Sequence, residues 1–314
     1  MDGLFDNIFI SSRGEVANRI ARTCRRVGID VLDVELPPTP HPLLPDAEAT
    51  VAAAQAAGAT ALHPGYVGPR ARAELAFLSR AAGLTFVGPS NEALAVMADK
   101  VALRTRAEAT GIKALPGSAA LSTWDEARDA AQELEFPLFV KPVAGTAGFG
   151  VLEVDDEDDL HNAFDISIER ATATFGDGRV YLEHALHRPR HLEVTVVADA
   201  HGNRFALRER DSSVQRRHQV LIAETPSPWL SNHGEGEAIR EFLIDQALRL
   251  AEELSLVGVF TVEFLIDADD RVFFLEANAD MQGAILVTEL ATGRDPIELS
   301  LEVATGAPLT DDPS

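Results

Sequence analysis

The sequence predicts an α/β domain built on a parallel sheet, followed by a mixed α+β domain. Three observations predict it. Short apolar runs alternate with amphipathic helical stretches as far as Val87, glycines stand at the joints, and from Arg179 onward strands dominate. Asn7–Ser11 reads as a buried strand, and Val16, Ile20, Cys24 and Val27 recur at helical spacing until Gly28 stops the helix. The alternation continues with strand Ile29–Val34, the alanine-rich helix Asp46–Ala57, strand Gly58–His63, helix Ala71–Ala82 and strand Leu84–Val87. Ser90 is placed to cap a helix over Glu92–Thr110, with Leu94, Met97 and Val101 on its apolar stripe.

These patterns put a boundary near Gly88–Ser90, giving domains over 1–89 and 90–310 and a disordered tail over 311–314. In the second domain, helix Trp124–Leu134 and strand Leu138–Lys141 lead into the glycine-rich segment Pro142–Gly150. Strand Val151–Val154, an acidic helix and strand Arg179–His184 follow. Then come strand Leu192–Ala198, a turn over Asp199–Asn203, strand Arg204–Glu209, helix Glu237–Leu254 and a hairpin over Gly258–Asn278.

The 314 residues are 46% apolar, enough for a proper core. Fifty Asp and Glu against 27 Lys and Arg leave a formal charge of −23, a surface that repels nucleic acid and anionic membrane. No apolar run reaches membrane-spanning length, and Met1–Asn7 carries two acids and no base, unlike a secretory signal. The single cysteine, Cys24, excludes a disulfide framework and lies on an apolar helical stripe; the expected location is the cytoplasm.

The chemistry concentrates in the last hairpin. Asp267-Ala268-Asp269-Asp270 is a turn composition between Thr261–Leu265 and Phe273–Asn278. A turn centred between Asp269 and Asp270 puts Glu263 directly opposite Glu276, on one face. Opposed Cβ atoms lie about 4.5–5.5 Å apart, and like charges there are destabilising. A divalent cation resolves the conflict: Mg²⁺ takes carboxylate oxygens and leaves room for phosphate oxygens, and Asn278 shares the face as a third oxygen ligand. A turn off-centre by one residue instead throws one glutamate to solvent.

Lys141 opens the segment that holds Gly145, Gly148 and Gly150. Such a loop lays backbone N–H groups over phosphates while the ammonium binds their oxygens, although a flexible surface hairpin has the same composition. Lys100, on the Glu92–Thr110 helix, either reaches the same phosphates or is a solvated helix residue. Gln215-Arg216-Arg217-His218 is the densest basic cluster, read as an anion contact or an internal salt-bridge network. His191 and Glu193 share one face of a strand, and His63-Pro64-Gly65-Tyr66 reads as a structural turn.

Together these residues resemble the biotin carboxylase family of the ATP-grasp superfamily, which also holds carbamoyl-phosphate synthase. The likeness runs in register from about Phe5 to Leu309. It is carried by Ile10–Ala17, His63–Tyr66, Gly88–Ser90, Met97–Lys100, Pro116–Ser118, Pro189–Glu193, Glu209–Gln219 and Val262–Leu265. The resemblance implies a pre-ATP-grasp α/β domain, then an ATP-grasp domain with a mobile glycine-loop lid over about 113–185. It implies that Lys100 and Lys141 bind ATP phosphates under Gly145, Gly148 and Gly150. Glu183, Leu186 and Leu265 would line the nucleotide pocket, and His191, Gln215 and His218 would surround the nucleotide. Glu263 and Glu276, with Asn278, would hold Mg²⁺ or Mn²⁺. It further implies a small carboxylate-type substrate, and a homodimer or a place in a carboxylase complex.

The departures from the family lie elsewhere. The position of a basic residue two places after His218 is Val220, the arginine that steadies the bicarbonate-derived intermediates is Asp280, and the general base is Ala284; Gln282 is retained as a catalytic candidate. The sequence ends at Ser314, where the family continues into a C-terminal domain with another active-site arginine. A lost general base costs about 10²–10⁴ in rate and a lost charge donor about 10²–10³. The nucleotide half is therefore expected to be kept and the second-substrate half changed. The expected function is ATP-dependent acyl-phosphate formation without ordinary biotin carboxylation, or nucleotide binding without catalysis.

Overall fold

The structure is a computed structural model describing residues 5–39, 43–146, 148–281 and 283–309. The tail expected over 311–314 and the candidate Gln282 lie outside the described residues. The first sheet is parallel, ordered β2–β1–β3–β4 from β1 (Asn7–Ile10), β2 (Asp30–Val31), β3 (Ala61–His63) and β4 (Thr85–Phe86). Its crossovers are α1 (Glu15–Arg26), α2 (Ala47–Ala56) and α3 (Pro69–Ala81). The spacing in α1 works as expected, burying Ile20 and Cys24, and the Asp46 carboxylate caps α2 by accepting from Ala49 N–H.

The helix expected over Glu92–Thr110 is two helices, α4 (Asn91–Met97) and α5 (Lys100–Ala109). Asp99 between them is extended, and its carboxylate accepts from the N–H groups of Val101 and Ala102, starting a new helix. The apolar stripe shifts with the break: α5 buries Leu103 and Ala107, and Val101 is only half-buried. Lys100 becomes the first residue of α5, its backbone N–H on the Val143 carbonyl at 3.1 Å.

A three-stranded antiparallel sheet, β6–β5–β7, comes next: β5 (Leu138–Pro142), β6 (Leu152–Val154) and β7 (Val180–His184), with α6 (Trp124–Glu133) and α7 (Glu157–Phe175). It closes on a core of its own around Leu138, Val140, Phe164 and Leu182. The largest sheet is antiparallel, ordered β11–β10–β8–β12–β13, with β9 beside β8. Its strands are β8 (Arg190–Ala198), β9 (Arg204–Ala206), β10 (Arg210–Arg216), β11 (Gln219–Glu224), β12 (Gly258–Ile266) and β13 (Val272–Asn278). The strand expected over Arg204–Glu209 stops at Ala206, and the β10–β11 hairpin lies outside the sequence expectation. Its turn residues Arg217 and His218 have φ of 52° and 61°, a geometry usually filled by Asn-Gly.

Helices α8 (Pro228–Asn232) and α9 (Gly236–Glu253) follow β11, and α10 (Ile285–Thr292) and α11 (Pro296–Ala304) follow β13. One core joins Ile8, Ile20 and Cys24 to Val259, Ile285 and Leu301, so the parallel sheet is fused to the later part of the chain. Among the described residues no helix is long and apolar enough to cross a membrane.

Candidate active site

The register of the large sheet builds an unusual line of side chains. Arg210 on β10 faces Glu193 on β8, Glu193 faces Glu263 on β12, and Glu263 faces Glu276 on β13. Three carboxylates thus stand side by side across adjacent strands, an arrangement that needs compensating positive charge. The Glu263–Glu276 pairing exists only because of a bulge. From Phe264↔Phe274 to Ile266↔Val272 the register is one residue off the simple hairpin expectation, and a shift between Glu263 and Phe264 restores it.

Cations bracket the row. The Arg210 guanidinium, 1% exposed, donates from Nε and Nη2 to Glu193 Oε2 at 3.1 and 2.6 Å, and from Nη1 to the hydroxyls of Thr195 and Thr288 at 2.7 Å each. At the other end the Lys100 ammonium pairs with Glu276. In the middle, His191 Nε2 lies 2.9 Å from Glu263 Oε2, and the Gln215 amide lies 2.6 Å from His191 Nδ1. Asn278 donates its amide to Glu263 Oε1 at 2.7 Å and to Glu276 Oε1 at 2.8 Å, tying the two carboxylates together. Ligation by Asn278 through its carbonyl oxygen would require that amide to turn over.

The electrostatics follow. Burial and then the charge of Glu276 push the Glu263 carboxyl up, against the pull of His191. Burial also acts on Glu276, but the Lys100 ammonium and the Asn278 amide outweigh it and hold the carboxyl at about 2. Burial favours neutral His191, yet the hydrogen bond to Glu263 and the surrounding carboxylates prevail and raise the imidazole to about 9. His191, Glu193 and Glu263 each offer a ligand atom within 4.8 Å of the others. The hard carboxylate oxygens of Glu263 and Glu276, facing one another in a cleft, fit Mg²⁺ or Mn²⁺.

Lys141 on β5 is buried and paired with the Glu183 carboxylate on β7, diagonal to it in the ladder. Its ammonium lies 5.6 Å from the Tyr181 ring centroid, and its charge bears on both Lys100 and Glu276, so the two lysines converge on the carboxylate pair. The glycine segment arches back onto the β10–β11 turn. Gly148, at φ 67°, sits so close to His218 that a Cβ would lie 2.7 Å from the histidine Cβ.

Most of these groups line one cleft of about 930 Å³, while the buried Arg210 is not among its lining residues. Lys100, Lys141, Gly145, Gly148, Glu183, Leu186, His191, Gln215, His218, Leu265, Glu263, Glu276 and Asn278 reach it, as do Asp280 and Ala284. Gly150 is not among the lining residues; its backbone at φ 80° instead passes Pro142, where a Cβ would meet Cγ at 2.8 Å. Arg210 is the residue that sequence reasoning passed over. Its signal was the alternation Arg208-Glu209-Arg210-Asp211, bases and acids in turn at the entry to a strand. His63 ends strand β3 and holds the turn after it: its Nδ1 accepts from Gly65 N–H at 2.9 Å, and burial, then Arg72, lowers it to about 3.

A parallel α/β unit, a small antiparallel sheet and a large antiparallel sheet with paired lysines and carboxylates in the cleft define an ATP-grasp architecture. The chain belongs to the biotin carboxylase family. Its residues 34–94 match the biotin carboxylase N-terminal domain, and residues 99–312 match the carbamoyl-phosphate synthase L chain ATP binding domain. It is 36% identical to biotin carboxylase of Halalkalibacterium halodurans, over 98% of this chain and 71% of that one. It is 34% identical to the propionyl-CoA carboxylase alpha chain of Ruegeria pomeroyi, again over 98% of this chain but 47% of the relative. Among solved structures, biotin carboxylase of Campylobacter jejuni in a β-γ-ATP complex superposes with a TM-score of 0.89 at 31% identity, over 98% of this chain and 72% of that one. The biotin carboxylase domain dimer of Hydrogenobacter thermophilus 2-oxoglutarate carboxylase, solved with MgADP and bicarbonate, gives 0.90 at 29% identity, over 98% and 71%.

Proposed function

We propose that the protein binds ATP with Mg²⁺ and forms an acyl phosphate on a carboxylate-type substrate, and that it does not carry out ordinary biotin carboxylation. The observation that supports this most is the row Arg210–Glu193–Glu263–Glu276, bracketed by cations and facing Lys141 across the cleft. Glu263 and Glu276 would hold the metal, with Asn278 orienting both. Bound magnesium would neutralise phosphate charge and polarise the transferring phosphoryl group.

In the reaction an acceptor carboxylate oxygen attacks the γ-phosphorus, the bond to the bridging β–γ oxygen breaks, and ADP leaves with that electron pair. Lys100 and Lys141 would release their present carboxylate partners to take phosphate oxygens, and Gly145 and Gly148 would present backbone N–H groups above them. Glu183, Leu186 and Leu265 would border the nucleotide, and His191, Gln215 and His218 would flank it. A homodimer or carboxylase-complex subunit is the assembly this reading favours, with the domains divided near Gly88–Ser90.

Asp280 and Ala284 favour a second reading, a nucleotide-binding relative without catalysis that serves a carboxylase complex. Steady-state ADP release separates the two. With MgATP and a panel of small carboxylates plus bicarbonate, at least one carboxylate is expected to stimulate ADP formation while biotin carboxylation stays absent. Tight nucleotide binding without stimulation by any acceptor would establish the second reading.

A further inference from the structure

The large apolar side chains that this protein leaves in solvent are not scattered. Of the nine that are exposed among the described residues, five sit on the β10–β11 hairpin or the glycine segment facing it: Phe149, Val214, Val220, Leu221 and Ile222. Three of these, together with Ala223, line the cleft itself: Phe149 is 47% exposed, Val220 40% and Leu221 64%. A solvent-exposed edge strand ordinarily carries charge or proline to stay inert. Gln219–Glu224 instead runs Gln-Val-Leu-Ile-Ala-Glu with no base in it.

The wall is continuous with the polar machinery. Val220 is the cross-strand partner of Gln215, Gln215 lies on His191, and His191 lies on Glu263. One strand pair therefore separates the carboxylates that would hold the metal from an apolar track running along β11 toward the cleft mouth. Across from it, the glycine segment brings Phe149 over the same opening, with Gly148 packed on His218. A small, fully polar acceptor would leave this track wet.

We infer that the acceptor is an aliphatic carboxylate, its head at the phosphate end of the cleft and its chain against Val220, Leu221 and Phe149. This rests on the nucleotide reading above. The occupant is a small molecule rather than a protein or a second copy of this chain, because Phe149, Val220 and Leu221 line the same cleft as Lys141 and Glu263. Val214 and Ile222 are paired with each other and lie outside the cleft lining.

The test is a calorimetric titration of butyrate, hexanoate and octanoate into protein held with Mg²⁺ and a non-hydrolysable ATP analogue, with the analogue's own affinity measured separately. Affinity is expected to rise about fourfold per added methylene that the wall buries. Leu221→Asp, at an exposed position that folding does not need, is expected to flatten the series while leaving analogue affinity unchanged. Equal binding of all three acids, or none, with intact analogue binding overturns the acceptor assignment and leaves the nucleotide reading standing. Failure of the analogue itself to bind overturns both. A Leu221→Asp protein that keeps the chain-length series but loses a dimer on light scattering assigns the apolar strand to self-association and likewise overturns the inference.

Discussion

The two ends of the cleft are built on opposite principles. At the end proposed to hold the nucleotide, the charged side chains are paired with neighbouring elements: Arg210 with Glu193, His191 with Glu263, Lys100 with Glu276 and Lys141 with Glu183. At the end proposed for the acceptor, Val220, Leu221, Ala223 and Ala284 line the cleft, and its charged lining residue after β13 is the acid Asp280. The difference teaches where constraint lies in this fold. Buried carboxylates demand counter-ions and fix the sheet register around them, whereas a wall of small apolar residues can change without disturbing anything beneath it.

The largest expected effect breaks the nucleotide end from inside the sheet. Arg210→Met strands Glu193 without its guanidinium and leaves the Thr195, Thr261 and Thr288 hydroxyls without their shared donor. Removing one partner of a buried pair costs about 3–5 kcal/mol, a large part of the stability of a typical domain. Urea denaturation should register that loss, and Arg210→Met combined with Glu193→Leu should recover part of it. A single variant within 1 kcal/mol of the parent would mean that the row is not held by its terminal cation.

Next in size is Glu276→Ala. It removes one of the two facing carboxylates and frees Lys100 from its partner. Mg²⁺-dependent ATP affinity should fall by about 100-fold, since even groups that merely orient metal ligands are worth 10–100-fold. Calorimetry with and without Mg²⁺ reads this directly. An unchanged affinity in Mg²⁺ would remove Glu276 from the metal site.

How far the sequence disclosed these two ends follows from the same contrast. The facing glutamates were legible because an Asp-rich turn sets a hairpin centre, and like charges on one face ask for a cation. The pairing is right for a reason that no turn composition reveals: the bulge between Glu263 and Phe264 compensates a turn one residue off the simple count. The extension of the row to Glu193 and Arg210 was hidden, because β10 has Val214 as its one apolar residue and its turn uses Arg217 and His218 rather than Asn-Gly. The helix break at Asp99 was hidden by apolar periodicity that runs across it, although an Asp beside Lys100 is itself a capping signal. Parallel strands were legible from alternation alone. The helices α10 and α11 that fuse them to the rest carry no comparable mark, since their partners lie on the other side of the chain in sequence.

The smallest change is expected where the acceptor end is returned toward the family pattern. Ala284→Glu with Asp280→Arg supplies a base and a guanidinium, yet Val220 still lacks the charge donor whose absence costs about 10²–10³. The fold also opposes the exchange. Arg72 is buried next to Asp280, donates to the carbonyls of Ala279, Gly65 and Val67, and feels the Asp280 charge as stabilising its guanidinium. Tyr66 in the cleft feels the same acid. An arginine at position 280 sets a second cation beside a buried one, so Asp280→Arg alone should lower the thermal midpoint while Ala284→Glu should not. Biotin carboxylation by the double variant should stay about 100-fold or more below that of an intact carboxylase. Full recovery, with no loss of thermal stability, would show that the two ends of the cleft are interchangeable parts and that Asp280 has no structural tie to Arg72.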